Sequence, residues 1–250
     1  MLLFLIAYIL VKGVPYLNKD LFSFTYTSDN VSLVPALINT FIMTIVSLAI
    51  AAPLGIFAAI YLVEYAKKGS RLVNVIRITA ETLSGIPSIV FGLFGMLFFV
   101  TALKWKMSML AGAFTMVIMI LPLIMRTSEE ALKSVPDSYR EASFGLGAGK
   151  LRTIFTIVLP SAVPGILAGV ILAVGIVVGE TAALIYTSGT LPKIPDSLMG
   201  SGRTLALHMY VLSCEGLNMN QAAATAVIIL LFVMLINWLS GCVAKRIAKG

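Results

Sequence analysis

Six ionisable residues stand in or beside long apolar stretches. They are Arg77 and Glu81 at i, i+4, Arg126 with Glu129 and Glu130 at i+3 and i+4, and Glu180. A charge at mid-bilayer costs roughly 2.5–3.5 kcal/mol on insertion scales, so such residues are paired or functional. Arg77 and Arg126 fall near expected helix ends, where a long side chain can snorkel to water. Their spacing predicts a structural pair between Arg77 and Glu81. Glu180 is deeper, has no Lys or Arg close by in its own helix, and needs a partner from another helix or subunit. For Glu180, function or assembly is supported as well as plain structure. No cluster has metal-ligand spacing, and the one histidine, His208, falls in an expected outer loop, so neither a metal site nor a catalytic residue is expected. Gly145-x-Gly147-x-Gly149-Lys150 invites a phosphate-loop reading. That motif requires Gly at 144 and Ser or Thr at 151, where Phe144 and Leu151 stand. The chain is therefore expected to hold no cofactor; ATP, if used, is hydrolysed on another subunit.

The elements that carry these residues follow from composition. Of 250 residues, 59% are hydrophobic and 12% charged, with a mean hydropathy of +1.01. Soluble domains carry roughly 25% charged residues, so this chain cannot cover a globule in water and reads as an integral membrane protein. The apolar runs are long and continuous, which selects helices over an alternating barrel. Net charge is +7, but the basic residues sit in loops between apolar runs, a topology signal and not a nucleic-acid patch. Six spans are predicted, about 2–17, 35–63, 73–103, 109–125, 160–186 and 222–244, in one domain without a soluble insertion or an obvious repeat. The first run lacks the basic start and cleavage site of a signal peptide and reads as a short first helix, with a start that could be missing. Twelve Lys and Arg fall on the side of residues 134–159 against six on the other, which predicts both termini inside. Cys214 and Cys242 are expected on opposite sides and unpaired. Pro53, Pro87, Pro122 and Pro164 interrupt spans, and Ser84-Gly85-Ile86-Pro87-Ser88 suits a bent helix beside a cavity or a moving interface. Gly165, Gly169, Gly175 and Gly179 share one face and allow close helix approach, with Glu180 at the edge of that face pointing into the bundle.

The segment 134–159 is the one long polar interruption. Pro136 and Asp137 suit a first helical turn. Tyr139, Ala142, Ser143 and Leu146 follow at helical spacing on one small, weakly apolar face, and Gly145, Gly147 and Gly149 end the helix in a turn. From the residues alone, a docking helix and a connector resting on headgroups are equally supported. The spacing Glu141-Ala142-Ser143, three residues, Gly147, nine residues, Ile157, one residue, Leu159-Pro160 resembles the signature loop of ABC importer membrane subunits, with Ser143 in place of the second Ala. The resemblance implies that Tyr139, Glu141, Ala142, Ser143 and Gly147 couple the chain to an ATPase.

Four further segments extend the resemblance over nearly the whole chain. Gly85–Gly95, Leu121–Leu132, Gly179–Ala183 and Gly202–Tyr210 are similar to the PstA-type permeases of phosphate-specific ABC importers. The fold this implies is all-α: a six-helix type I ABC importer transmembrane domain with a cytoplasmic coupling helix. The implied partners are a PstC-type permease, a PstB-type ATPase dimer that binds ATP and Mg, and a PstS-type phosphate-binding protein, all at the cell membrane. Arg126, Glu129 and Glu180 are the implied pathway residues, joined by Ser84, Ser88 and Thr181 as hydroxyls for an anion. One position departs: relatives commonly carry Arg four residues before the Gly-Glu-Thr glutamate, and this chain has Ile176.

Three other readings compete. The same machine could carry sulfate or molybdate, against which Gly85–Gly95 argues. An ion-coupled secondary transporter leaves the Glu141 loop unexplained. An intramembrane enzyme lacks any catalytic cluster.

Overall fold

The computed structural model describes residues 2–67, 69–216 and 218–247. The side chains of Leu2, Ser240 and residues 242–247 lie outside that description. The expectations for Cys242 and for the charges of Lys68, Lys245, Arg246 and Lys249 therefore fall outside it too. The described residues form helices without strands: α1 Leu2–Gly13, α2 Val34–Ile60, α3 Arg71–Ser84, α4 Ser88–Gly95, α5 Met109–Lys133, α6 Asp137–Gly145, α7 Lys150–Thr153, α8 Leu159–Gly179, α9 Ala182–Ile185, α10 Leu205–Glu215 and α11 Met219–Ile247. Wider π-helical turns continue α2 (Tyr61–Tyr65) and α4 (Met96–Ala102) and join α7 to α8 (Ile154–Val158).

All six expected apolar segments are helical, with corrected limits. Four are long and apolar enough to cross a membrane: Val34–Tyr65, Met109–Lys133, Lys150–Gly179 and Met219–Leu239. The expected span 73–103 is a bent pair, Arg71–Ser84 and Ser88–Ala102, because Pro87 removes an N–H and Gly85 caps α3. The expected span 160–186 starts at Lys150, since Lys150–Thr153 already form a helical turn, and it ends at Gly179. The segment Leu3–Tyr16 is a shorter apolar helix.

The chain's contacts gather into two compact units. The first holds the chain up to Ser47, Pro87–Val117 and Gly175–Ile236. Its apolar core joins Leu21, Leu33, Ala36, Leu205 and Ala224. Polar residues on α2 tie the loop after α9 in place: the Asn39 amide donates to the carbonyls of Lys193 (2.9 Å) and Arg203 (3.1 Å), and Thr40 Oγ1 accepts the Leu205 N–H at 2.8 Å. That loop in turn supplies carbonyls to the N–H groups of Ser108, Met109 and Leu110 at the start of α5. These are the groups a helix start leaves unpaired. At Gly92, α4 meets α9 so closely that a Cβ would lie 2.7 Å from Ala183 Cα. His208 is not a loop residue; it is fully buried on α10, edge-on to Tyr26 with ring centroids 6.1 Å apart.

The second unit holds Leu48–Ile86, Ile118–Val174 and the chain from Asn237. Ala59, Ile60, Leu62, Val73, Leu132, Val135, Ile154, Val158 and Ile166 build its core. Here α5 is gripped from both sides at glycines. A Cβ on Gly55 of α2 would lie 2.9 Å from Ile124, and one on Gly165 of α8 2.7 Å from Ala131; one on Gly169 would overlap Thr127. The shared glycine face of α8 is thus half used within the chain, because a Cβ on Gly175 or Gly179 would meet nothing within 4 Å.

Two outcomes follow. Gly169→Val should destabilise the isolated chain by about 1–3 kcal/mol through overpacking, whereas Gly175→Ala should not; thermal unfolding in detergent would measure both. Burial, aided by the nearby Arg203, lowers the His208 pKa from 6.5 to about 3. The unfolded chain takes up this proton below about pH 6.5 and the fold does not. Its contribution is therefore complete above that pH and declines as pH falls, by at most about 1.4 kcal/mol per pH unit. Unfolding temperatures between about pH 7 and pH 5 should fall less steeply for His208→Asn than for the unmodified chain; equal slopes would assign the acid sensitivity elsewhere.

Candidate functional site

The polar loop is a rigid platform. Pro136 caps α6, Asp137 opens it, and it ends at Gly145; the following turn needs Gly147, whose φ is +84°. An L residue with a side chain is strained there by about 1–2 kcal/mol. The return helix α7 is bonded to α6 through Ser143 Oγ and Thr153 Oγ1, 2.8 Å apart, and Thr153 also donates to the Gly149 carbonyl. Outward stand Tyr139, Glu141, Ala142, Phe144 and Leu146, the last 90% exposed. Tyr139, Ala142, Ser143, Leu146, Gly147, Ala148, Arg152, Thr156 and Ile157 line a concavity of about 530 Å³. The expected face is therefore present, with two refinements. Ser143 is buried and holds α7, so it shapes the floor; Glu141 lies outside the lining.

The same unit holds a charged cavity of about 190 Å³, lined by Arg77, Ala80, Glu81, Met125, Arg126, Glu129, Glu130 and Lys133. A single water needs only ~10–15 Å³. Three cations face three carboxylates, so the site balances. The pairing differs from the sequence expectation. Arg77 reaches Glu129 at 2.6 Å instead of Glu81, and Lys133 meets the same carboxylate at 2.7 Å. Arg126 pairs with Glu130 at 3.3 Å and approaches Glu81 at 3.9 Å. Burial decides this: the Glu129 side chain is 7% exposed and Glu81 74%. A carboxylate without water gains most from a cation, so Arg77 turns to Glu129. Lys133 is not among the expected pairs, although its i, i+4 spacing from Glu129 is a readable signal.

The remaining pathway candidates are dispersed. Ser84 donates to the Ala80 carbonyl at the end of α3, outside the cavity lining. In the first unit Ser88 opens α4, and Glu180 and Thr181 form the break between α8 and α9. Glu180 finds a partner in the backbone: Oε1 accepts the Ala183 N–H at 3.0 Å. Among the described residues no Lys or Arg lies within ion-pair distance of it, and Ile176 is half-buried.

Apolar helices long enough to cross a membrane, broken where polar groups gather and joined by one outward platform, define a membrane-spanning protein. The family described as the binding-protein-dependent transport system inner membrane component matches residues 51–249. A probable ABC transporter permease of Bacillus subtilis, YqgI, is 32% identical over 273 residues, covering 98% of this chain and 91% of the relative. The phosphate transport system permease protein PstA of Pasteurella multocida is 35% identical over 233 residues, covering 92% and 82%. A solved bacterial alginate ABC transporter aligns with a TM-score of 0.74 at 16% identity, over 98% of this chain and 88% of that one; at that identity the likeness concerns the fold. The chain belongs to this family of ABC importer permeases, with the type I transmembrane fold, and within it to the PstA-type subunits.

The two ion-pair sets should respond differently to truncation. Glu129→Ala leaves two cations facing a buried void and should cost about 2 kcal/mol. Glu130→Ala breaks an exposed pair and should cost below about 1 kcal/mol. Thermal unfolding of both variants would measure the contrast.

Proposed function

We propose that this chain is a membrane-spanning subunit of an ATP-driven importer of inorganic phosphate. Its platform docks a separate ATPase, and it shares the pathway with a second, PstC-type permease. The observation that carries the reading is the platform: a nine-residue helix between two membrane helices, fastened from behind, with Tyr139 and Phe144, and Leu146 just after it, exposed beside Glu141. Such a face serves a partner better than water. Phosphate as the cargo is supported by the relationship to PstA-named proteins across most of the chain. The charged cavity is in keeping with it, since its cations can release a carboxylate in favour of a passing oxyanion. ATP and Mg belong to the partner ATPase, a PstS-type binding protein delivers phosphate, and both termini face the cytoplasm, where α6 meets its partner. Sulfate or molybdate carried by the same machine is the alternative; the likeness to a permease whose cargo is unnamed does not discriminate between them.

The test is radiolabelled uptake into proteoliposomes holding the chain with its second permease, ATPase and binding protein. Phosphate should enter only with ATP, with Ile176 as it stands, and without competition from sulfate or molybdate. Glu141→Lys and Gly147→Leu, inserted at normal levels, should abolish uptake. Preferred uptake of another oxyanion would sink the phosphate assignment. Normal uptake by both variants would sink the docking assignment.

A further inference from the structure

Between α5 and the platform the chain runs Ser134-Val135-Pro136, three residues ending in proline. Left alone, such a connector is a hinge: a push on α6 would turn the platform and leave the membrane helices where they were. One side chain spans this gap. Arg140, on the inner face of α6, is 13% exposed and uses all five of its N–H groups. Nε and Nη2 donate to Glu64 Oε1 at 3.1 and 2.8 Å. Nη2 also donates to the Leu132 carbonyl at 3.0 Å, and Nη1 to the Val135 carbonyl at 2.8 Å and to Asp137 Oδ1 at 3.2 Å.

Each acceptor belongs to a different part. Glu64, itself 8% exposed, sits in the π-helical turn that ends α2. Leu132 offers one of the orphan carbonyls at the end of α5. Val135 is inside the connector, and Asp137 begins α6. A second fastening falls on the same turn: Lys150 at the start of α7 stands over the Tyr65 ring, 4.9 Å from its centroid. Both arms of the platform are thus fixed to the end of α2. One helical turn before Leu132 on α5 stands Glu129, the buried hub of the charged cavity.

We infer that Arg140 is a positioning residue that makes the ends of α2 and α5 move as one body with the platform, so that displacement of α6 reaches the charged cavity and is not lost at residues 134–136. The planar fork is essential: lysine keeps the charge but has three donors on a point head and cannot serve four acceptors in this geometry. The transmission part of this inference rests on the docking function proposed above; the mechanical part does not.

Two measurements test it. In nanodiscs, spin labels at Leu146 and Tyr61, both exposed, with Cys214 and Cys242 replaced by serine, report the distance from platform to α2. Arg140→Lys and Glu64→Gln should each broaden the distance distribution while far-ultraviolet circular dichroism stays unchanged. An unchanged distribution in both variants overturns the clasp. In the full proteoliposome system, Arg140→Lys should lower phosphate transported per ATP hydrolysed about tenfold, with basal ATP hydrolysis retained. A merely structural role would lower transport and hydrolysis together and keep their ratio, and that result overturns transmission. Failure of the docking reading is separately visible as normal uptake by Glu141→Lys. In that event the label distances alone decide whether the clasp exists.

Discussion

In a bilayer there is no water to satisfy a polar group, so each one must find its partner within the protein. That constraint organises this molecule. Hydroxyls on the helices bond back to carbonyls four residues earlier, as Thr40, Thr115, Thr187 and Thr225 do. The start of α5 is closed by carbonyls of a loop, and its end by a guanidinium. Where α8 breaks, Glu180 turns its carboxylate onto the N–H of Ala183 and so supports the next helical turn. Backbone can leave the helix only where side chains or a neighbouring loop complete its bonds.

The same constraint explains the charge arrangement. A buried carboxylate is tolerable only with close cations, so Glu129 draws Arg77 across from α3 and Lys133 from its own helix. Glu64 does likewise with Arg140. These pairs are weak contributors to net stability because desolvation offsets much of their attraction. Their value is positional, since each holds two elements in one relation and fails if either moves alone. Glycines set the distances at which this can happen: Gly55, Gly165 and Gly169 let α2 and α8 close on α5.

Much of this was legible in the residues. The apolar runs, the break at Gly85–Pro87, the platform from Asp137 to Gly145 and its Gly147 turn all follow from local chemistry, since hydropathy, proline and positive φ act over a few residues. The exposed face of Tyr139, Ala142 and Leu146 was readable from helical spacing. What spacing could not reveal was the partner of each charge. Arg77 and Glu81 have good i, i+4 geometry, yet the buried Glu129 on another helix wins because burial, which is not local, sets the strength of the attraction. Arg140 looked like one more basic loop residue. Neither the burial of His208 nor its place on a helix was readable; the sequence stretch around it is too evenly apolar to mark a face.

By itself the sequence determined that the chain is helical, that it lies in a membrane, and that one long polar loop interrupts the apolar runs with a short helix and a glycine turn. These depend on composition and short-range pattern, which any fold of this chain must honour. The tertiary structure alone decided which carboxylate meets which cation, that Ser143 braces the platform while Glu141 stands free, and that Glu180 is satisfied by backbone. Those outcomes depend on which side chains lose water together, and only the packing of distant segments settles that.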